Sequence, residues 1–503
     1  MTRAILCVAA LAAAGCGSIL GFDDVRQCEG AECPGGGGGD PDAGDAPVCE
    51  TADDCETDAP VCDTEAGSCR TCESHDECAA IDPAAPGCAG DGTCVECVLD
   101  EHCASEVCDT GSNQCVAEAD VVYMAPDGST DAACGTHDEP CKRFIDAFAQ
   151  VAAPRDIVKV NPGTYNADAL PIMVPADLTV TLLSLGATID PAADGAIFQI
   201  GAGATFTMRG GEVSGATGGT GAHGFLCSDA TSTLRLFGVT VADNTGTGIR
   251  CIGTAVLQDV EVSNNDVDGV DCDDGVSLTM TGGKVDGNTT GIEAADDTTI
   301  TQVDVFGNSE IALRCHVTCD VTRSMFRSNA FGGVDANATA GRFVNNLFLE
   351  NGGGEAGSLG AIFLWPTEGE QTVLFAYNTV VGNHSRSAQA GGVHCVSDVG
   401  VTSPNNLVQE NLDTDDKEDN FSGTALANIC HFTYSNIGEI GSNPDNNIDF
   451  DPSFIDDYHL PPDASCKDHG NVTGVEDIVV DIDGETRPFG DAPDCGCDEF
   501  VVR

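Results

Sequence analysis

Five carboxylates crowd residues 266–274: Asp266, Asp268, Asp271, Asp273 and Asp274. Oxygen donors at that density can hold Ca²⁺. Alternate residues of a strand face the same way, so Asp271 and Asp273 can share a face and Asp274 cannot without a bend. The plainer reading of all five is solvated surface charge. Arg250 stands 21 residues before Asp271 and reads as a surface partner. His384 and His394 flank a loop and read as surface histidines. Trp365 is the one Trp in the chain. It can stack on a sugar or cover apolar core. No nucleophile, base and orienting group fall into a recognisable catalytic constellation.

Cysteine carries the other chemistry, with 28 residues. Twelve of them form three sets: Cys49, Cys55, Cys62, Cys69; Cys72, Cys78, Cys88, Cys94; Cys97, Cys103, Cys108, Cys115. Each set opens C-x5-C, and two residues separate the sets. Four Cys per unit give two disulfides with three connectivities open. Units this short bury little apolar core, so cross-links must replace it. Cys69/Cys72 and Cys94/Cys97 also make two CxxC pairs near zinc-ribbon spacing. They fall at unit junctions, which favours disulfides. The module reads as a stiff spacer, with ligand binding as its functional alternative.

The elements that must position these residues show in the periodicity beyond Val121. Short apolar alternations end in Asn and then Gly, as in L234-R-L-F-G-V-T-V-A-D-N244 and L257-Q-D-V-E-V-S-N-N265. Asn244, Asn265, Asn288, Asn308, Asn329 and Asn351 are spaced 21, 23, 20, 21 and 22 residues apart. A period near 21 holding two or three short strands predicts an all-β parallel solenoid. Alternate apolar residues point inward. Asn tolerates the left-handed backbone of a tight corner and can stack into a hydrogen-bonded ladder. Roughly ten coils at about 4.8 Å make a rod on the order of 50 Å long. Asn346, Asn378, Asn406 and Asn436 mark a second corner. The period lengthens after Asn351, to 32 and then 28 residues. The added residues 352–360, 385–392 and 413–423 should emerge on one side, where repeat proteins often bind.

Cys227, Cys251, Cys272, Cys315 and Cys395 end equivalent strands, with Ala294 and Ala336 in that place elsewhere. Neighbouring coils put such Cα atoms about 4.8 Å apart, within disulfide range. Either Cys251–Cys272 or Cys227–Cys251 is expected along the rod, with a stack of buried thiols as the alternative. Cys134 and Cys141 are expected to pair, and Cys315 and Cys319 can close a local loop.

Acidic residues number 82 and basic residues 20, a formal charge of −62. That charge opposes binding to nucleic acid or anionic lipid. A 41% hydrophobic content still supports a core. Met1-Thr2-Arg3, the apolar run from Ala4 to Ala14, then Gly15 and Cys16 read as a secretory signal. Ala13-Ala14-Gly15-Cys16 resembles the bacterial lipoprotein signal. The resemblance implies lipidation of Cys16 after removal of residues 1–15. Gly17 in place of Asp implies the outer membrane or cell surface of a Gram-negative bacterium. Lipid would be the only anchor. Residues 16–48, with Gly35 to Gly39 and DPDAGDAP, read as a disordered, self-repelling tether.

The solenoid resembles the right-handed parallel β-helix of the pectate-lyase-like superfamily. Y123-M-A-P-D-G-S129 through D156-I-V-K-V-N-P-G-T-Y165 resembles the opening of many bacterial β-helices. There Phe144, Ile145, Phe148 and Val151 would form one face of a helix that plugs the coil. D451-P-S-F, D481-I-D-G-E-T-R-P488 and A492-P-D-C-G-C-D-E-F500 resemble the close of choice-of-anchor Q proteins. These segments divide the chain into Cys-rich repeats at 49–115, a β-helix at 121–440 and an end segment at 441–503. Enzymes of this superfamily cleave acidic polysaccharides, but the motifs depart from theirs. His223-Gly224 precedes Asp273-Asp274, the reverse of the polygalacturonase order, and no Arg-x-Lys follows. The expectation is a surface lipoprotein whose head binds, without catalysis, a polysaccharide or envelope component. The alternative is a polysaccharide lyase or hydrolase, with a calcium-stabilised rod third. No resident cofactor is expected except Ca²⁺ at Asp271 and Asp273. Trp365 and His394 are the candidate binding residues.

Overall fold

The computed structural model describes residues 49–501 apart from 167, 192–193, 273–274, 295, 338–339, 366–372, 388, 397–400, 424–429, 439–444 and 457. The signal, Cys16, the tether and Asp273 lie outside the described residues.

The chain winds into a parallel β-solenoid with three strands to a coil. One, here face A, stacks into an 11-stranded parallel sheet running from Ile172–Val174 to Phe421–Gly423. The other two, faces B and C, join into a 23-stranded sheet. One coil illustrates the path: Phe225–Cys227 on A, Thr233–Phe237 on B and Thr240–Ala242 on C. Strict in-out alternation fixes the register. Leu234 and Leu236 are buried while Arg235 is exposed. A one-residue slip would turn every such pair inside out.

The interior is a continuous apolar column. Phe198 stacks on Phe225 at 5.4 Å between ring centroids, and Phe326 on Phe348 at 5.3 Å. At the first coil a short helix, Phe144–Phe148, closes the open end. Phe144 meets Phe198 edge-on at 5.4 Å, and Phe148 meets Phe206 at 6.5 Å. Asp168 accepts the helix's first N–H groups, Phe144 at 3.0 Å and Ile145 at 3.3 Å. Ile145 does not join the plug: it is exposed, and Ala147 takes the inner position. A helix face repeats at three and four residues, so Phe144, Ala147, Phe148 and Val151 belong together. Cys134 and Cys141 are disulfide-bonded beside the plug.

The C–A corners carry the Asn ladder. Each Asn donates Nδ2–H to the Oδ1 of the next. The steps are Asn244 to Asn265 at 2.9 Å, Asn265 to Asn288 at 3.0 Å and Asn288 to Asn308 at 3.2 Å. They continue through Asn329, Asn351, Asn383 and Asn411 to Asn420. The B–C corner has its own ladder from Asn346 through Asn378 to Asn406, which ends on Ser435. The left-handed backbone sits one residue before the ladder Asn. Asp243 has φ 55°, Asn264 53°, Ser328 53° and Glu350 54°. The turn thus aims the following Asn inward, where its amide serves the stack.

The three Cys sets share one connectivity, first to third and second to fourth: Cys49–Cys62 with Cys55–Cys69, Cys72–Cys88 with Cys78–Cys94, Cys97–Cys108 with Cys103–Cys115. Every thiol of both CxxC pairs is consumed in a disulfide, which leaves no ligand for zinc. Within the coils Cys227 bonds Cys251, Cys315 bonds Cys319 and Cys395 bonds Cys430. Cys272 is a correction to the candidate disulfides: it is a buried free thiol. Cys251 stands in register with Cys227, and Arg250 with Asp271 places Cys272 on its other side. One sulfur closes one bond, and Cys227 has it.

The end segment does more than close the last coil. It runs back along the B–C corner. Asn405 exchanges hydrogen bonds with Asn471 at 2.8 Å in both directions, and Cys497 N–H reaches Thr379 Oγ1 at 2.9 Å. Asn345 Nδ2 donates to the Val480 carbonyl at 2.7 Å.

Candidate functional site

On face A the residues that alternate with the inward positions form one column, because neighbouring strands pair in register. The register runs Gln199, Leu226, Arg250, Asp271, Glu293, Arg314, Asp335, Phe363, His394, Ser422. Its first half is ionic. Arg250 pairs with Asp271 at 3.3 Å and Arg314 with Glu293 at 3.1 Å. Glu310 lies 3.6 Å from Arg314, and His316 3.4 Å from Glu293. Asp268 and Asp335 are half-buried beside this run, and burial holds both carboxyls above the usual range.

The second half is aromatic. Phe363 and His394 stack nearly parallel, 5.1 Å apart with 6° between planes. Trp365, two residues on and therefore on the same face, packs edge-on against Phe363 at 6.0 Å. Trp365 is 48% exposed, so it is not core cover. Its backbone N–H is tied to the Ala336 carbonyl at 2.8 Å. Ala390 N–H donates to Ser422 Oγ at 3.0 Å, and the same oxygen lies 2.7 Å from His394 Nδ1, which fixes the tilt of the ring. Burial holds the His394 ring below its usual pKa, so it is a neutral plate.

The insertions after Asn351, Asn383 and Asn411 all lead into face A, beside the aromatic half. They stack on one another: Gly352 bridges to His384 and His384 to Leu412. Arg386 N–H donates to the Ser358 carbonyl at 3.0 Å, and Arg386 and His384 both reach Asp416. The packing leaves no room for side chains at the crossing, since a Cβ on Gly360 would strike the Gly391 backbone.

The structure joins Trp365 and His394, named from sequence, through Phe363, which sequence reasoning missed. The signal was available: Phe363 and His394 each stand one residue before an inward column position, Leu364 and Cys395. Asp271 pairs with Arg250, as its register position places it, and Asp273 lies outside the described residues.

No family model and no curated protein matches the chain. Two solved structures are similar to it. One, titled crystal structure of pectate lyase Pel9A, is 14% identical over 75% of this chain and 96% of its own, with a TM-score of 0.36. The other, titled rhamnogalacturonan lyase, is 15% identical over 67% of this chain and 90% of its own, with a TM-score of 0.37.

Proposed function

We propose that face A is a polysaccharide-binding surface on an exported, lipid-anchored protein. The observation that carries it is the aromatic group on face A, where the exposed Trp365 packs against the buried Phe363 and Phe363 stacks on the half-buried His394, beside three stacked insertions. Sugar rings present C–H faces that pack on aromatic plates, and a column of repeats suits a repeating ligand. Charge selects among glycans. Asp268, Asp271, Glu293, Glu310 and Asp335 outnumber Arg250, Arg314 and His316 around the column, on a chain of net charge −62. A polyuronate would be repelled, so the ligand is a neutral polysaccharide. The eleven disulfides among the described residues support an oxidising compartment.

Array or affinity electrophoresis of the purified chain on neutral and uronic glycans tests this. Binding is expected on the neutral set, with Trp365→Ala and Phe363→Ala each costing about tenfold, ~1.4 kcal/mol. Binding confined to polyuronates, or indifferent to both substitutions, would overturn it. Asp268 and Asp335 favour a second reading, hydrolysis of the bound chain, since such cleavage uses a protonated carboxyl opposite a second carboxylate. New reducing ends that vanish in Asp268→Asn or Asp335→Asn would establish it.

A further inference from the structure

The end segment gathers a second group of ligating side chains, remote from face A. His459 Nδ1 lies 2.8 Å from one Asp456 oxygen and 2.9 Å from the other. Its Nε2 lies 3.1 Å from Asp483 Oδ2. Ligand atoms of His459, Asp483 and Asp498 fall within 4.8 Å of one another, and so do those of Asp481, Glu485 and Asp498. Asp498 is common to both triplets and is 3% exposed. Leu460 N–H bonds its Oδ2 at 2.8 Å; among the described residues no hydrogen bond reaches its Oδ1. A cleft of about 420 Å³ lined by Asp456, His459, Glu485 and Asp498 gives access from solvent.

We infer that His459, Asp483 and Asp498 form a binding site for a divalent transition-metal ion, with Asp456 orienting the histidine. The donor set carries the argument. One imidazole nitrogen converges with carboxylate oxygens of Asp483 and the buried Asp498 at the mouth of the cleft. A divalent ion taking the place of the Nε2 proton would offset the charge of both carboxylates. A carboxylate on the far nitrogen is how metal-bound histidines are usually held. One imidazole with carboxylates suits Zn²⁺ or Mn²⁺; calcium takes oxygen ligands alone. The ion would tie residues 456–460 to residues 481–498 and so hold the segment closed over the B–C corner.

The test is calorimetric titration of the chelator-treated full chain with Zn²⁺, Mn²⁺ and Ca²⁺. One equivalent of Zn²⁺ or Mn²⁺ is expected, bound more tightly than Ca²⁺. His459→Gln and Asp483→Asn should each weaken it at least about tenfold, and Asp456→Asn by about 10–100-fold. Cu²⁺ bound in the same site of the unmutated chain should show imidazole nitrogen coupling by electron paramagnetic resonance, which needs no variant to fold. No stoichiometric binding, a spectrum without nitrogen coupling, or an affinity unchanged in His459→Gln would each overturn the site. Glycan binding at face A is read separately and does not bear on it.

Discussion

At the residue scale the decisive fact is how burial sets charge. His223, on the approach to face A, is 4% exposed and accepts Thr247 N–H on Nδ1 at 3.2 Å. Burial, helped by Arg250, holds its ring below the usual pKa. A histidine depressed in the folded state stays neutral there while the unfolded chain takes up a proton first. Its contribution to stability is therefore complete above about pH 6.5 and is lost as the pH falls below that value. The urea midpoint should drop on acidification from neutral pH, and His223→Gln should flatten part of that slope. Equal slopes in the two proteins would show that His223 does not titrate with unfolding. Elsewhere the same logic is met by pairing. Arg487 and Glu499, both almost fully buried, lie 3.3 Å apart. The Arg487 guanidinium also donates to the Asp494 and Gly496 carbonyls and lies over the Tyr377 ring. Burial pushes the Glu499 carboxyl up to about 7. These contacts give the closing D481–R487–E499 residues a structural role that their spacing alone did not disclose.

At the scale of elements, the Asn ladder shows what a corner needs. Asn308 Oδ1 accepts from Asn288 N–H at 3.0 Å and from its Nδ2–H at 3.2 Å. Its own Nδ2 serves the Val285 carbonyl at 3.2 Å and Asn329 Oδ1 at 2.9 Å. Asn308→Ala would orphan buried groups on the two flanking coils, at a cost on the order of 3 kcal/mol. Asn308→Asp should be no milder, because the carboxylate has no hydrogen to give Asn329. Denaturant unfolding checks both; a midpoint within error of the parent would mean that water replaces the amide. The ladder was legible because a coil repeats its chemistry at one interval. The column on face A was half legible for the same reason: shifting the Cys251 and Cys272 positions back by one residue yields Arg250 and Asp271. The insertions hid its continuation by stretching the period just where Phe363 and His394 stand. The His459 cluster was invisible to periodicity. Its ligands come from two stretches of an irregular segment, and only the D-x-x-H of 456–459 and the D-x-D of 481–483 hinted at it.

At the scale of the whole molecule, the disulfide module is docked to the rod through its last unit. Its third unit packs on the first coil. Tyr123, 2% exposed, donates its hydroxyl to the Ser105 carbonyl at 3.0 Å. Lys159 reaches Asp100 at 3.2 Å and the Glu106 carbonyl at 2.8 Å. Val107, Val121 and Tyr123 form a small core with Val116, Ile157 and Leu183 against it. Residues 17–120 hold 26 acids against Arg26 and Arg70, a net charge of −24. Repulsion favours extension of such a segment, so apolar contact is what keeps its last unit against a rod that is itself acidic. A chain beginning at residue 117 would lose Val107 and uncover Val121, Tyr123 and Leu183 together. At about 25 cal/mol per Å² the lost burial is worth roughly 2–4 kcal/mol, enough to lower the melting temperature by about 3 °C or more. A chain beginning at residue 97 keeps the third unit with both its disulfides and should melt like the full protein. If the two shortened chains melt together, the third unit is only a spacer and the contact at Tyr123 contributes nothing to the rod.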